Sequence, residues 1–341
     1  MKKMIIGREK MKPICYKNTK TTLPGWVEDI HIKNQIGYAY ETETHFIHIY
    51  GRGDGLYTIS PGLTVCQAKE GTLVNWATEV FGAADIRQVD NEVGHVIKGI
   101  WRPGLYYKNE IFQSLGCNEY EQRESEQALK ILLEKLENLL LYIEPDENNL
   151  NTYGHKSREL LILACTEVEN QWLKIYRNAF DENIQPRIST NEYVKLKEKA
   201  FLGEYQITYN NYKDMVAIAP FRNWNIEQPT QSLDWYNSYN KTKHDRTASF
   251  REAKLRHVLS AIAANIILHC VKFSPYGLYN NRTTLSGYIN QTVTIELHEC
   301  DITSCYVPAI KLPQNTRTDL FCYDSYKLGH NQSWICEKFT L

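Results

Sequence analysis

Residues 121–145, EQRESEQALKILLEKLENLLLYIEP, contain the strongest structural signal in the chain. Their leucines recur at steps of three and four residues, which is the spacing of one face of an α-helix. Pro145 stands just beyond the last of these leucines and indicates that the helix has ended there. The stretch therefore predicts a long amphipathic helix whose apolar face packs against other elements. The leucines of that face are Leu129, Leu132, Leu133, Leu136 and Leu140.

Two further segments, residues 157–180 and 250–273, show the same helical period and predict two more long helices. The segment 189–201 opens with Ser-Thr-Asn, residue types that cap helices well, and predicts a shorter one. Residues 232–246 predict a helix as well. Together these segments indicate a helical centre of the size of a single domain.

The two ends of the chain have a different character from the centre. HFIHIYGRGDGLYTIS, residues 45–60, places a glycine-rich loop between two β-rich runs and predicts a hairpin. GTLVNWATEVFGAADI, residues 71–86, predicts a short helix, and the chain from 274 onward returns to strand-like runs. We therefore predict an α+β protein with a β-rich N-terminal domain of unknown role (1–116), a helical bundle (117–273) and a β-rich C-terminal extension (274–341).

The composition excludes several classes of protein. The chain has 341 residues, of which 43% are hydrophobic and 23% charged, as in an ordinary globular protein. The formal net charge of -1 means that no overall field attracts nucleic acid or a membrane surface. No stretch approaches the ~20 apolar residues that span a bilayer, and the start lacks a secretory core. We expect a cytoplasmic protein without membrane association, whose 9 cysteines are thiols.

The sequence WYNSYNKTKHDR, residues 235–246, is the strongest candidate for a site. On a helix it presents a polar face and an aromatic face. If the aromatic face is buried, the polar face points to a cleft or a partner. If the polar face is buried, its side chains must be hydrogen-bonded inside the protein. The two faces are Leu233, Asn237, Asn240 and His244 on one side, and Trp235, Tyr239, Thr242 and Arg246 on the other.

Four residues of cationic types are crowded at the end of this segment. Lys241, Lys243, His244 and Arg246 repel one another unless a negative group lies nearby, and Asp245 offers only one carboxylate. A further carboxylate, or an anionic ligand, is therefore expected close to them.

The second long helix could supply that carboxylate. Glu167 and Glu169 border its buried stripe on opposite sides, and Arg158 lies near its start. Both glutamates could be solvated flanks, or one could hold His244 or Arg246 across the bundle. A carboxylate against a histidine raises its pKa and fixes its orientation, which suits acid–base catalysis.

The pairing of SRELLILACTEVENQW with SLDWYNSYNKTKHDR resembles a widespread group of bacterial proteins, which in turn resemble the HEPN superfamily of small helical-bundle domains. That superfamily is marked by an Arg-polar-x-x-x-His pattern on a late helix. Asn240 matches the polar position and His244 the histidine, whereas Tyr239 stands where the arginine is expected. The resemblance covers about residues 120–273.

The resemblance implies a homodimer that cleaves RNA without metal or cofactor, in a setting of bacterial defence or as a toxin. The 2′-hydroxyl attacks, the histidine transfers protons, and the arginine steadies the phosphate. In this sequence His244 would be the acid/base group, Asn240 would orient it, and Arg246 with Lys243 would lie over the phosphate. The predicted catalytic residues are His244, Asn240, Arg246, Glu167 and Glu169, and the predicted substrate-binding residues are Lys241, Lys243, Arg158 and Tyr239.

Two details of this hypothesis allow alternatives. A second Arg–His pair, Arg251 and His257, also fits a looser form of the pattern, with Arg251 expected near a core stripe and His257 pointing away from it. The rings of Trp235, Tyr236 and Tyr239 could stack on bases, although such residues more often belong to a core.

Two other functions also remain open. The missing arginine and the tyrosine-rich, near-neutral composition favour a non-catalytic module that binds a protein partner, in which Asn240 and His244 only tie helices together. A zinc-stabilised scaffold would use cysteines and histidines near the C-terminus, but these lack a paired Cys-x-x-Cys, so no metal is expected. Those residues are His298, Cys300, Cys305, Cys322, His330 and Cys336.

Overall fold

The computed structural model describes residues 12–31, 35–52, 56, 58–106, 108–180, 188–213, 215–244, 246–280, 283–324 and 334–341. The chain divides into two units. The sheet unit comprises Met1–Val96, Arg102–Leu105 and Asp301–Cys336. The helical unit comprises Ile97–Trp101, Tyr106–Cys300 and Glu337–Leu341. The predicted α+β class is confirmed.

Strands dominate the N-terminal part of the described chain, and helices dominate its middle. The strands are β1 (Ile14–Lys17), β2 (Ile36–Glu41), β3 (His45–Arg52), β4 (Thr58–Ala68), β5 (Ala84–Gln88), β6 (His95–Ile97), β7 (Tyr205–Tyr209), β8 (Val293–Leu297), β9 (Phe321–Asp324) and β10 (Ile335–Glu337). The helices are α1 (Leu73–Phe81), α2 (Lys108–Leu115), α3 (Glu119–Leu140), α4 (His155–Arg177), α5 (Thr190–Tyr193), α6 (Leu196–Lys199), α7 (Asp234–His244), α8 (Arg246–Ser249), α9 (Leu255–Phe273), α10 (Pro275–Asn280) and α11 (Thr284–Thr292).

The sheet unit is built on an antiparallel sheet in the order β5-β1-β2-β3-β4-β9. The predicted hairpin is confirmed, because β3 pairs with β4. The glycine-rich positions 53–55 of its loop lie outside the described residues. The predicted short helix is α1, which packs Trp76, Val80 and Phe81 into the core of this unit. The aromatic and β-branched content of the strands explains why this segment forms a sheet.

Two histidines lie among the aromatic rings of that core. His48 is fully buried, stacks on Phe81 with 3.7 Å between ring centroids, and has its Nδ1 2.7 Å from the hydroxyl of Tyr16. A Cβ at Gly37 would lie 2.5 Å from a ring carbon of Tyr16 and 2.6 Å from one of His48, so only glycine leaves these rings their space. His31 Nε2 is 3.0 Å from the hydroxyl of a neighbouring tyrosine. The core of the sheet unit therefore contains neutral, titratable side chains.

The helical unit contains the predicted long helices. The leucine-rich segment is α3, residues 157–180 correspond to α4, and residues 250–273 to α9, whose start is preceded by a 3-10 turn at Phe250–Glu252. Of the five leucines expected on the core face of α3, Leu129, Leu132, Leu133 and Leu136 are buried. Leu140 is half-buried, and Leu139 is the buried leucine at that end of the helix. The predicted shorter helix is divided into α5 and α6, with Ser189 capping α5 as expected. The observed helices confirm these predictions. Burial of a periodic apolar stripe is what made the long helices predictable.

Helix α9 is long and apolar enough to span a membrane by length and composition. However, 83% of its most apolar window is buried inside the protein, as in the core helix of a folded domain. Length and composition alone are weak support for a membrane span.

The chain after residue 273 differs from the predicted β-rich extension. It begins with two helices, α10 and α11, and residues 274–300 belong to the helical unit. Residues 106–116 belong to it as well. Helix α11 starts with a capping box in which the side chains of Thr283 and Ser286 satisfy each other's backbone N–H groups. These helices have one or two turns and no long apolar stripe, so periodicity did not reveal them.

We expect the protein to lose stability in mild acid. Burial depresses the folded-state pKa of His48 and His31, so the unfolded chain binds these protons first. The free energy of unfolding is therefore undiminished above about pH 6.5 and falls below it, by up to ~1.4 kcal/mol per pH unit for each histidine. Urea unfolding at neutral pH and at about pH 5.5 measures this difference.

The variant His48→Gln tests the assignment, since glutamine offers Tyr16 a polar partner but does not titrate. Its unfolding should depend less on pH than that of the wild type. His298→Gln, at an exposed histidine, is the matched control and should leave the pH dependence unchanged. An unchanged pH dependence in His48→Gln would contradict the assignment.

Candidate functional site

Helix α7 buries its aromatic face. Trp235, Tyr236 and Tyr239 are 3%, 6% and 1% exposed, and Thr242 is fully buried. Trp235 donates its indole N–H to the carbonyl of Pro220 at 3.1 Å. Of the two arrangements that the sequence allowed, the structure therefore has the one in which the polar face is turned outward.

The outward face of α7 becomes more exposed toward its C-terminus. Asn237 and Asn240 are half-buried, whereas Lys241 and His244 are exposed. Asn240 and His244 are four residues apart, so their side chains are neighbours on the helix surface. The last turn also contains Lys243, and cationic side chains at this end interact favourably with the helix dipole. This gives the site an accessible imidazole beside an amide and an ammonium group.

Glu169 is the carboxylate that the structure brings to α7, and it binds tyrosines. Tyr236 donates its hydroxyl to Glu169 Oε1 at 2.7 Å, and Tyr239 donates to Oε2 at 3.4 Å. Lys243 Nζ donates to the hydroxyl of Tyr239 at 2.9 Å and lies 5.0 Å from the centroid of its ring. A chain of polar contacts thus connects the carboxylate on α4 to an ammonium group at the end of α7.

These contacts shift the pKa values of Lys243 and Tyr236, and the charge of Glu169 also acts on Cys165. The hydrogen bond to Tyr239, with the charge of Glu169 behind it, raises the pKa of Lys243, so its ammonium form is favoured. Burial, together with the bond to Glu169, raises the pKa of Tyr236. Burial and the charge of Glu169 also raise the pKa of the neighbouring Cys165 well above its usual value. At neutral pH the hydroxyl of Tyr236 and the thiol of Cys165 are therefore uncharged.

Arg158 fixes the end of α7. Its guanidinium donates from Nη2 to the backbone carbonyl of Thr242 at 2.8 Å, and its Nε lies 3.3 Å from the same oxygen. The carbonyls in the last turn of a helix lack partners within that helix, so this bond satisfies one of them. Arg158 therefore positions the residues next to His244.

The other predicted site residues are less closely placed. Glu167 lies on the opposite side of α4, where it lines a cavity of about 20 Å³ together with Ser125 and Lys272. Arg246 opens α8, and Asp245 lies outside the described residues. Of the predicted residues, Glu169 on α4 thus contacts Tyr239 on α7, which in turn contacts Lys243. Glu167 lies on the other side of α4, away from this group.

The rings of Trp235, Tyr236 and Tyr239 belong to the core, as such residues more often do, so they are not surfaces on which bases could stack. The expectation for the second Arg–His pair was wrong. Arg251 precedes α9 and is exposed, whereas His257 is buried with its Nδ1 2.8 Å from the carbonyl of Glu252. The helical wheel failed there because α9 starts four residues after Arg251.

The C-terminal cysteines and histidines form no metal-binding group among the described residues. His298 is exposed, Cys305 is buried in the sheet unit, and His330 lies outside the described residues. All nine cysteines of the chain are described, and none is in a disulfide bond.

Sequence reasoning missed the contacts of Glu169 with the two tyrosines, because they depend on how α4 and α7 pack. One signal was present: Tyr239 and Lys243 are four residues apart, a spacing that brings side chains together on a helix. A second polar contact, between α3 and α9, left no comparable signal: the half-buried Ser125 has its Oγ 2.8 Å from Nδ1 of the buried His269.

Comparisons with known proteins found no match to a family model, to a curated protein or to a solved structure. The resemblance to the HEPN superfamily therefore stays a prediction.

We expect Tyr236→Phe to destabilise the protein by about 1–2 kcal/mol, because it removes the short bond to a half-buried carboxylate. Urea unfolding followed by tryptophan fluorescence measures the effect. Tyr120→Phe, at a tyrosine that is 71% exposed, is the control and should change little. If Tyr236→Phe is as stable as the wild type, the bond to Glu169 contributes nothing.

Proposed function

We propose that the helical unit, with a HEPN-like bundle as its centre, binds RNA and cleaves it without metal at the exposed end of α7. The observation that supports this proposal is the accessible His244 beside Asn240 and Lys241, on a helix whose other face is buried. A structural histidine that only ties helices together would instead be buried and hydrogen-bonded.

In the proposed reaction the 2′-hydroxyl attacks the adjacent phosphate to form a 2′,3′-cyclic phosphate, and the bond from phosphorus to the 5′-oxygen of the next nucleotide breaks. His244 accepts the proton of the 2′-hydroxyl and delivers it to the leaving 5′-oxygen, and Asn240, one helical turn earlier, orients the imidazole or the phosphate. Lys241 supplies positive charge to the phosphate, together with Lys243 and Arg246. Glu169 acts indirectly: it binds the hydroxyl of Tyr239, and that hydroxyl holds Lys243 in place. Arg158 keeps the last turn of α7 in position.

Local positive charge favours binding of an anionic ligand at this end of α7, although the whole chain is near neutral. Residues 241–256, KTKHDRTASFREAKLR, contain six lysines and arginines and two acidic residues. Such a patch attracts the phosphate backbone independently of sequence. The proposal places the protein in the cytoplasm as a homodimer, in the defence or toxin setting that the HEPN resemblance implies.

The alternative is a non-catalytic module that assembles with a protein partner. One observation favours it: Tyr239, at the position of the expected arginine, is buried and bonded to Glu169 and Lys243. In that function the polar chain between α4 and α7 stabilises the bundle, and the outward face of α7 contacts the partner.

We expect purified protein to cleave single-stranded RNA equally well with and without a chelator, and His244→Ala to lower the rate by about 10²–10⁴-fold, the usual contribution of an acid–base group. His298→Ala, at an exposed histidine of the same unit, should keep the wild-type rate. Gel analysis of labelled RNA gives the rates, and thermal unfolding confirms that both variants are folded.

The outcomes separate the two functions. Cleavage that persists in chelator and disappears in His244→Ala supports the ribonuclease. Cleavage that chelator abolishes, or that His244→Ala retains, contradicts a metal-independent site at this residue. If the folded wild type neither binds nor cleaves RNA, the assembly module is favoured.

A further inference from the structure

Three aromatic rings meet near the start of α4. Phe250 lies between Tyr153 and His155, with ring centroids 5.8 Å and 4.8 Å apart, respectively. The rings of Tyr153 and Phe250 are nearly perpendicular, at 87°. We call these three residues the ring cluster. Its members come from segments about a hundred residues apart in sequence, so the fold itself assembles the cluster.

Backbone hydrogen bonds hold the ring cluster in place. Tyr153 forms an isolated antiparallel bridge with Lys254, and the N–H of Leu255 donates to the carbonyl of Thr152 at 2.9 Å. His155 is the first residue of α4, and Phe250 begins the 3-10 turn that precedes α9. The rings are therefore attached to the ends of two long helices, which limits the motion they must lose when a ligand binds.

The ring cluster is accessible, unlike the aromatic residues of α7. Tyr153 is 40% exposed, His155 is exposed, and Phe250 is half-buried. The rings are inclined to one another and form no common plane, but a base needs only one exposed aromatic face on which to stack, and partly exposed rings of this kind can offer it. The structure thus has such a surface where the sequence did not indicate one.

Charge around the ring cluster suits an anionic ligand. Arg251 and Arg256 are exposed on the segment that contains Phe250, and Lys156 is exposed one residue after His155. Of the opposing charges, Glu252 follows Arg251 in sequence, and Glu159 Oε2 lies 3.7 Å from Lys156 Nζ, so the two arginines rather than the paired Lys156 carry the attraction for an anion. The turn that begins at Phe250 also contacts α7, so the ring cluster and the end of α7 belong to the same end of the helical unit.

We propose that the ring cluster is a stacking site for nucleobases of a single-stranded RNA. Exposed aromatic rings with cationic side chains alongside are the combination with which proteins bind single strands, whereas the bases of a duplex are not free to stack on a protein. The inference rests on the proposed function and deepens it: α7 contacts the phosphates, and the ring cluster contacts the bases. It makes the protein selective for unpaired RNA.

The test distinguishes binding through the bases from binding through the phosphates. The probes are a short 2′-O-methyl oligoadenylate, whose blocked nucleophile prevents cleavage, and an oligonucleotide of equal length and charge without bases. Their dissociation constants are measured by fluorescence anisotropy for the wild type, Tyr153→Leu and Phe250→Leu. Tyr120→Leu is the control, because Tyr120 is exposed but lies at the opposite end of α3 from the ring cluster. Thermal unfolding establishes that each variant is folded.

We expect the wild type to bind the oligoadenylate at least tenfold more tightly than the abasic probe. Tyr153→Leu and Phe250→Leu should each weaken oligoadenylate binding about tenfold, the usual effect of removing one stacking ring. Neither should change binding of the abasic probe by more than about twofold, since its phosphates do not need the rings. Tyr120→Leu should behave as the wild type.

Two results overturn the stacking site but leave the proposed function intact. One is equal wild-type affinity for both probes. The other is a preference for bases that survives in folded Tyr153→Leu and Phe250→Leu. If the wild type binds neither probe, both the stacking site and the RNA function are overturned.

Discussion

The packing of the helical unit depends on the rotation of α9 about its own axis. Among its residues only Arg256, Ser260 and Lys272 are not buried, so the helix is apolar on almost every side. Such a helix has no single apolar stripe to determine its rotation. Asn265 provides this determinant: fully buried, it accepts from Gln171 Nε2 at 2.8 Å and donates to the carbonyl of Ala164 at 2.9 Å. Rotating α9 would leave a buried amide unpaired, which costs about 1–3 kcal/mol.

The same contacts determine which way α4 faces. Because Ala164 and Gln171 bind Asn265, the side of α4 with Arg158 and Glu169 faces α7. The two residues then bind α7 at different points, one at the backbone of its last turn and the other at its tyrosines. The position of the candidate site thus follows from one buried amide in the middle of the bundle, well away from His244.

The parts of this structure that were predictable from the sequence are those set by burial of a repeating pattern. The leucines of α3 and the apolar stripe of α4 predicted helices close to those observed. For α7 the sequence left open which of two faces is buried, and the structure shows that it is the aromatic face. Helices α10 and α11 were not predictable in this way, since each has too few turns to repeat a pattern. The Glu169 contacts depend on packing between helices distant in sequence, and the ring cluster depends on Tyr153 meeting Phe250. No local property of either segment indicates that meeting.

Tyr239 in place of arginine changes the type of phosphate contact that the proposed site can make. An arginine presents a planar fork that binds two phosphate oxygens at once, whereas a lysine acts as a point charge. In this protein the ammonium of Lys243 lies against the hydroxyl and ring of Tyr239. A point charge attracts a phosphate but does not orient it. In the proposed function the orientation must therefore come from other contacts of the RNA, and stacking of its bases on the ring cluster would supply them.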